Sequence, residues 1–246
     1  MTTPSGADDR TINMHVEPIG RHHQRPAARM GPPADVLLAD EFFLMAHDDT
    51  TGQSRLHDVA TRFGLAAALL GELGISGHLT FAPGALHIRD ARPPADWLQH
   101  QALSQIANEP QERATRTWLA FLATTAHENV AQRLIQTGVV APEERRRLFG
   151  LGPATVRYVP HDMNRAAWSW ARLSMRLRNS EPLDVFDLTL AGIAEATGLD
   201  RFILAGAPYP TSGYLRTLLA AAPPQVAALL SDLHSAVGAA SMNPRA

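Results

Sequence analysis

The chain contains no cysteine and no lysine. The first absence excludes disulfides and thiolate catalysis. The second leaves arginine to carry all 22 basic charges, a pattern that fits the coding bias of a high-GC bacterial genome better than it fits a particular chemistry. Long apolar runs are missing as well: no stretch of about eighteen residues lacks charges or turn formers, so no transmembrane helix is expected. The longest candidate, Leu65 to Ile75, is too short and carries Glu72. The first residues have no apolar signal core, which makes the cytoplasm the expected location. A formal charge of −2 and a pI near 6.6 argue against a dedicated nucleic-acid coat. Signatures of catalysis are absent too, with no G-x-S-x-G, H-E-x-x-H, Walker A or kinase set. The segment GLGPAT, Gly150 to Thr155, has two of the dinucleotide-binding glycines but lacks the third.

What is present is enough to fold. At 246 residues and 45% apolar composition, the chain can bury a substantial core. Residues 1–33 mix Thr, Pro, Gly, Asp and Arg without period and read as a disordered tail. Arg21, His22, His23, Arg25 and Arg29 form a small basic cluster in it, read as a solvated arm. His22-His23 would lack a rigid second shell there, so neither a metal nor a cofactor is expected.

A folded domain is expected over residues 34–242. Leu37, Leu38, Phe42 and Met45 fall on one helical face, and Asp48, Asp49 and Gly52 make the following turn. Thr61 to Ile75 is apolar nearly all round, the mark of a buried helix. Glu72 lies near its C-terminal end, unfavourably placed for the helix dipole, so a nearby arginine is expected to compensate it. His78 to Phe81 and Ala85 to Arg89 alternate about Pro83-Gly84, which predicts a β-hairpin with Leu79 and Phe81 inward. Helical patterns follow at Pro93–Glu109, Glu109–Ala126 and His127–Gly138. The stretch from Ala141 to Pro160 reads as a short charged helix start, an apolar tip and a Thr155–Val159 strand, together a projecting hairpin. Helical patterns return over Asp162–Arg178, Pro182–Thr197, Thr211–Ala221 and Pro223–Ala240. The fold class is therefore mainly α, with small β-hairpins.

One cluster carries physical chemistry of its own. Arg145, Arg146 and Arg147 precede Leu148, Phe149 and Leu151, and guanidinium groups beside an apolar tip suit docking on an anionic membrane surface. A charged helix end with its Leu-Phe pair tucked into the core is the alternative reading.

The order of four segments resembles the Golgi phosphoprotein 3 family, including its bacterial members: DVLLADEFFLMAHDDTTG, GLAAALLGELGISGHL, RLIQTGVVAPEERRRLFG leading to VRYVP, and DVFDLTLAGIAEATGL. The resemblance covers the chain from about Asp35 to the last helix. It implies one mainly α domain decorated with β-hairpins and no catalysis. Eukaryotic members bind phosphatidylinositol 4-phosphate on Golgi membranes and adapt glycosyltransferases for retention. The family's pocket has a Trp where this chain has His57 and an Arg at Ala66, and its two later Arg fall on Thr124 and His127. With that arginine fork absent, the remaining His57 and His127, with Arg55, Arg62 and Arg133, are expected to form a weaker, pH-sensitive head-group site. The hairpin after Arg145 lies where the family has an apolar hairpin implicated in membrane contact and self-association.

The reading is thus a peripheral, anionic-phospholipid-binding adaptor on the inner face of a membrane. Its expected partners are an anionic lipid, a protein client and a second copy through residues 145–159, with no nucleic acid. Two other classes stay open: a winged-helix DNA binder, because helix, GISGHL, strand, Pro-Gly and strand also build a wing, and an enzyme with an unrecognised site.

Overall fold

The apolar density of Thr61 to Leu73 is explained by where the helix lies. In the computed structural model, which describes residues 36–145 and 155–242, helix α2 (Asp58–Ile75) packs against elements on several sides. These are α1 (Leu38–Ala46), α4 (Thr115–Ala123), α5 (Ala126–Gln136), α7 (Val185–Thr197) and α10 (Pro224–Met242). Enclosure of that kind leaves no polar face to be solvated. Close approach also needs glycine: a methyl group at Gly64 would run into the Phe42 ring, and one at Gly71 would lie 2.7 Å from Leu38 Cδ2. The expected tail, residues 1–33, and the hairpin tip with Arg146, Arg147, Leu148, Phe149 and Leu151 lie outside the described residues.

The described residues form ten helices and two small antiparallel sheets of two strands each, a mainly α fold with β-hairpins. Strands β1 (Leu79–Ala82) and β2 (Ala85–Ile88) pair Ala82 with Ala85 around the Pro83-Gly84 turn. Gly84 adopts φ +76° there, a conformation that glycine accepts without steric cost. Leu79 and Phe81 are buried, as their alternation predicts. The other helices are α3 (Trp97–Asn108), α6 (Met163–Arg178), α8 (Asp200–Ile203) and α9 (Pro210–Ala220). Asp96, Asp162 and Asp184 cap α3, α6 and α7 by accepting backbone N–H bonds, each worth about 1 kcal/mol.

Two expectations change. The one-sided face predicted for α1 becomes complete burial of all nine of its residues, Asp40 and Glu41 included, because α2, α5, α6 and α7 all pack on it. The charged helix start predicted after Gly138 is instead strand β3 (Val140–Arg145), paired with β4 (Thr155–Pro160) from Val140↔Pro160 to Arg145↔Thr155. Local sequence there favours neither state strongly, and the ladder with a distant segment decides it.

Ion pairs to buried carboxylates connect the helices. Arg165 meets Glu41 at 2.6 Å, fastening α6 to α1, and Arg172 meets Asp187 at 2.7 Å, fastening α6 to α7. The most connected is Arg133 on α5. Its Nε and Nη2 reach Asp40 at 2.8 Å, its Nη1 and Nη2 reach Glu72 at 3.2 and 2.9 Å, and its Nη1 also reaches Asp96 at 2.9 Å. Four hydrogen bonds and one further ionic contact thereby engage all three guanidinium nitrogens. Glu72 also accepts from the Ala39 backbone N–H and from Gln99. Arg133 is thus the arginine that compensates Glu72.

Candidate functional site

His57, Asp58 and Arg62 stand at the start of α2, and His127 stands at the start of α5. His57 is the N-cap of α2, exposed, and its side chain makes no capping bond. Arg62 lies one turn on and pairs with Asp58 at 2.8 Å. The two helix starts are close enough for Asp58 and Arg62 to act on the charge of His127. Backbone N–H groups unpaired at a helix start favour anions, so three of the five expected head-group residues, His57, Arg62 and His127, share one region.

His127 is tied to a partner that the sequence did not suggest. Its Nε2 lies 3.3 Å from Nε2 of His47, at the end of α1. His47 Nδ1 lies 2.7 Å from the Phe43 carbonyl oxygen. A carbonyl only accepts, so Nδ1 carries the hydrogen, and neutral His47 must then accept at Nε2 from the N–H of His127. The pair packs with Phe43, whose ring is 4.2 Å from His47 and 5.3 Å from His127, and with Tyr158 of β4, 5.6 Å from His127. Burial pushes the His47 pKa down to about 4. Burial is also the largest influence on His127, lowering its pKa despite the opposing pull of Glu128 and Asp58. At neutral pH both rings of this pair are therefore uncharged, and the titration of His127 lies below the ordinary imidazole range.

The remaining two expected residues have other employment. Arg133 is 2% exposed and enclosed by carboxylates, so its charge faces the core and does not reach an anion at the surface. Arg55 clamps the turn after α1. It donates to the carbonyl oxygens of Met45 and His47, and it meets Asp49 at 3.3 Å and Asp48 at 3.6 Å. Asp48 in turn accepts from the backbone N–H groups of Thr50 and Thr51, an ordinary turn role. Ala66 is fully buried, whereas Thr124 is exposed. Arg145 ends β3, opposite Thr155.

Sequence reading missed a groove of about 860 Å³ between α2, α4 and α10, which has Arg62 and Arg116 among its lining residues. Its only advance signal is the alanine content of α4 and α10. For the other function classes, two observations matter. No Ser or Thr hydroxyl is hydrogen-bonded to a histidine ring nitrogen among the described residues. The helix that a winged-helix reading would set into DNA, α2, has its middle turns buried.

Among the described residues no helix is long and apolar enough to cross a membrane. No curated protein matches the chain significantly. The model of the Golgi phosphoprotein 3 (GPP34) family, which is not a known enzyme family, matches residues 38–239. Because that match runs from the first residue of α1 into the last turn of α10, the chain belongs to the Golgi phosphoprotein 3 (GPP34) family.

Proposed function

We propose that this protein is a non-catalytic adaptor that binds peripherally to membranes containing anionic phospholipid. The observation that supports this most directly is the junction of the hairpin with the helix starts. Tyr158 of β4 packs against His127, so the hairpin base and the His57, Arg62 and His127 region belong to one part of the surface. The arginines and apolar residues of the 145–151 sequence, carried by a hairpin whose base meets helix starts that favour anions, suit head groups of negative charge. Anionic phospholipid in general is the proposed ligand class, since Ala66 is buried and the family's paired arginines are here Thr124 and His127. In this reading the hairpin also serves self-association, and a protein client is carried on the inner face of a membrane.

Flotation of the full chain with neutral, generally anionic and phosphoinositide-containing vesicles tests the proposal. Binding is expected to the anionic and phosphoinositide vesicles alike, with loss when Leu148 and Phe149 are both changed to Asp. Arg62→Ala should weaken it about fivefold, the effect of ~1 kcal/mol for one basic residue near an anionic surface. Because burial lowers the His127 pKa, strengthening on acidification should begin only below the ordinary imidazole value of about 6.5. A chain that floats with none of these vesicles would overturn the reading.

A further inference from the structure

The groove between α2, α4 and α10 shares Arg62 with the proposed head-group region, but the hairpin, His47, His57 and His127 are not among its lining residues. Phe63 of α2, Ala120 and Ala123 of α4, and Ala236 and Ala239 of α10 line it. One-carbon side chains on two neighbouring helices leave space that leucines would fill, which is why the groove is there. Its volume of about 860 Å³ lies within the range of roughly 300–1,000 Å³ typical of small-ligand sites. Two guanidinium groups also reach the lining, Arg62 from α2 and Arg116 from α4. Arg62 is engaged by Asp58 at 2.8 Å, with its side chain still 38% exposed. Arg116 is exposed and has no hydrogen-bonding or ionic partner among the described residues.

That combination selects its occupant by charge and shape. Two like charges disfavour a cationic or a purely apolar guest, and a guanidinium pairs with a carboxylate through parallel N–H bonds. Thr117, Thr124 and Ser235 also reach the lining, but the Thr124 and Ser235 hydroxyls already donate to carbonyl oxygens of their own helices, so most of the guest meets Val59, Phe63 and alanines and is best matched by an aliphatic chain. An unbranched chain lies against one-carbon side chains more closely than does a peptide helix bearing side chains of its own.

We propose that the α2/α4/α10 groove binds a single-chain anionic amphiphile of the fatty-acid type, with its aliphatic chain against Phe63 and the alanines and its carboxylate at Arg62 and Arg116. This site takes up monomers from solution, and it stands whether or not the protein docks on vesicles.

The test is calorimetric titration of the full chain with dodecanoate below its micellar range. Acetate and a dodecyl trimethylammonium salt serve as controls for the chain and for the charge. Saturable binding of one dodecanoate per protein is expected, with none of acetate or of the cationic amphiphile at the same concentrations. Arg116→Glu should weaken dodecanoate at least tenfold. Ala239→Trp, which fills the groove from an exposed position, should abolish binding while leaving the thermal transition in place. Absence of saturable dodecanoate binding to the wild type, equal binding by the cationic amphiphile, or unchanged affinity in both variants would each overturn the proposal. Vesicle flotation without binding of monomeric dodecanoate would overturn it and leave the membrane reading intact.

Discussion

Replacing Arg133 with Leu is expected to cost about 3–5 kcal/mol of stability, the range found when one partner of a buried ion pair is removed. The leucine fills much of the same space, so the loss is electrostatic. Asp40, Glu72 and Asp96 come from α1, α2 and the cap of α3, and all three lean on one guanidinium whose side chain is 3% exposed. Without it, buried carboxylates face one another with no cation among them. Arg133→Lys is expected to recover only part of the loss, because an ammonium offers three donors from one point where the guanidinium makes four hydrogen bonds from a planar fork. Urea unfolding of the variants at neutral pH measures this directly. The deficit of the leucine variant should shrink on acidification, as the orphaned carboxylates take up protons. A leucine variant within about 1 kcal/mol of wild type, the worth of an ordinary exposed pair, would mean that the cluster is not a structural hub.

The second large effect concerns the proton balance of that cluster. One guanidinium faces three carboxylates, so the site is over-supplied with negative charge. Burial raises the Asp40 pKa to about 7; the Arg133 charge opposes the rise, and the charges of Glu72 and Asp96 add to it. Folded Asp40 therefore holds its proton over a range in which the unfolded chain, with an ordinary value of 3.8, has released it. Its contribution is complete below about pH 4 and is lost as pH rises through 7. At ~1.4 kcal/mol for each pKa unit, that slope amounts to a few kcal/mol. His47 acts in the opposite sense, since its pKa falls to about 4: its contribution is complete above the ordinary imidazole value and is lost as pH falls through 4. The two contributions oppose each other between about pH 4 and 6.5, so wild-type stability is expected to be nearly level there and to fall as pH rises through 7.

Asp40→Asn separates them, because an amide stays neutral throughout. Urea unfolding at pH 5, 6, 7 and 8 should give a wild-type curve that is level at first and falls towards pH 7, and a variant curve that rises from pH 5 to about 6.5, because the His47 limb is no longer offset. Parallel curves over that interval would show that Asp40 is ionised in the folded protein well below neutrality.

Several features were legible in the sequence because they depend on neighbours only a few residues away. The α2 helix announced its burial by apolar residues in every row, and Pro83-Gly84 between two alternating segments gave the first hairpin and its inward side chains. Arg133 offered a weaker signal: it stands beside Val130 and Leu134, both buried, on the apolar side of α5. Read with Glu72 inside an apolar helix, that position hints at a buried pair, although many arginines competed for the role. Sequence distance hid the histidine pair. His47 and His127 are 80 residues apart, and each looks like an ordinary surface imidazole among polar neighbours.

The sequence by itself determined the class of the fold, the order of its longer helices and the placement of both hairpins. Those follow from residue periodicity, turn chemistry and length, all of which act locally. Tertiary structure decided which charges are available. It turned Arg133 inward to three carboxylates, spent Arg55 on carbonyl oxygens and neighbouring aspartates, and set His127 against His47. It also left Arg62 and Arg116 on the lining of an alanine-walled groove. The physical reason is that a side chain's charge state and reach depend on burial and on partners brought in from distant segments, and local sequence carries neither.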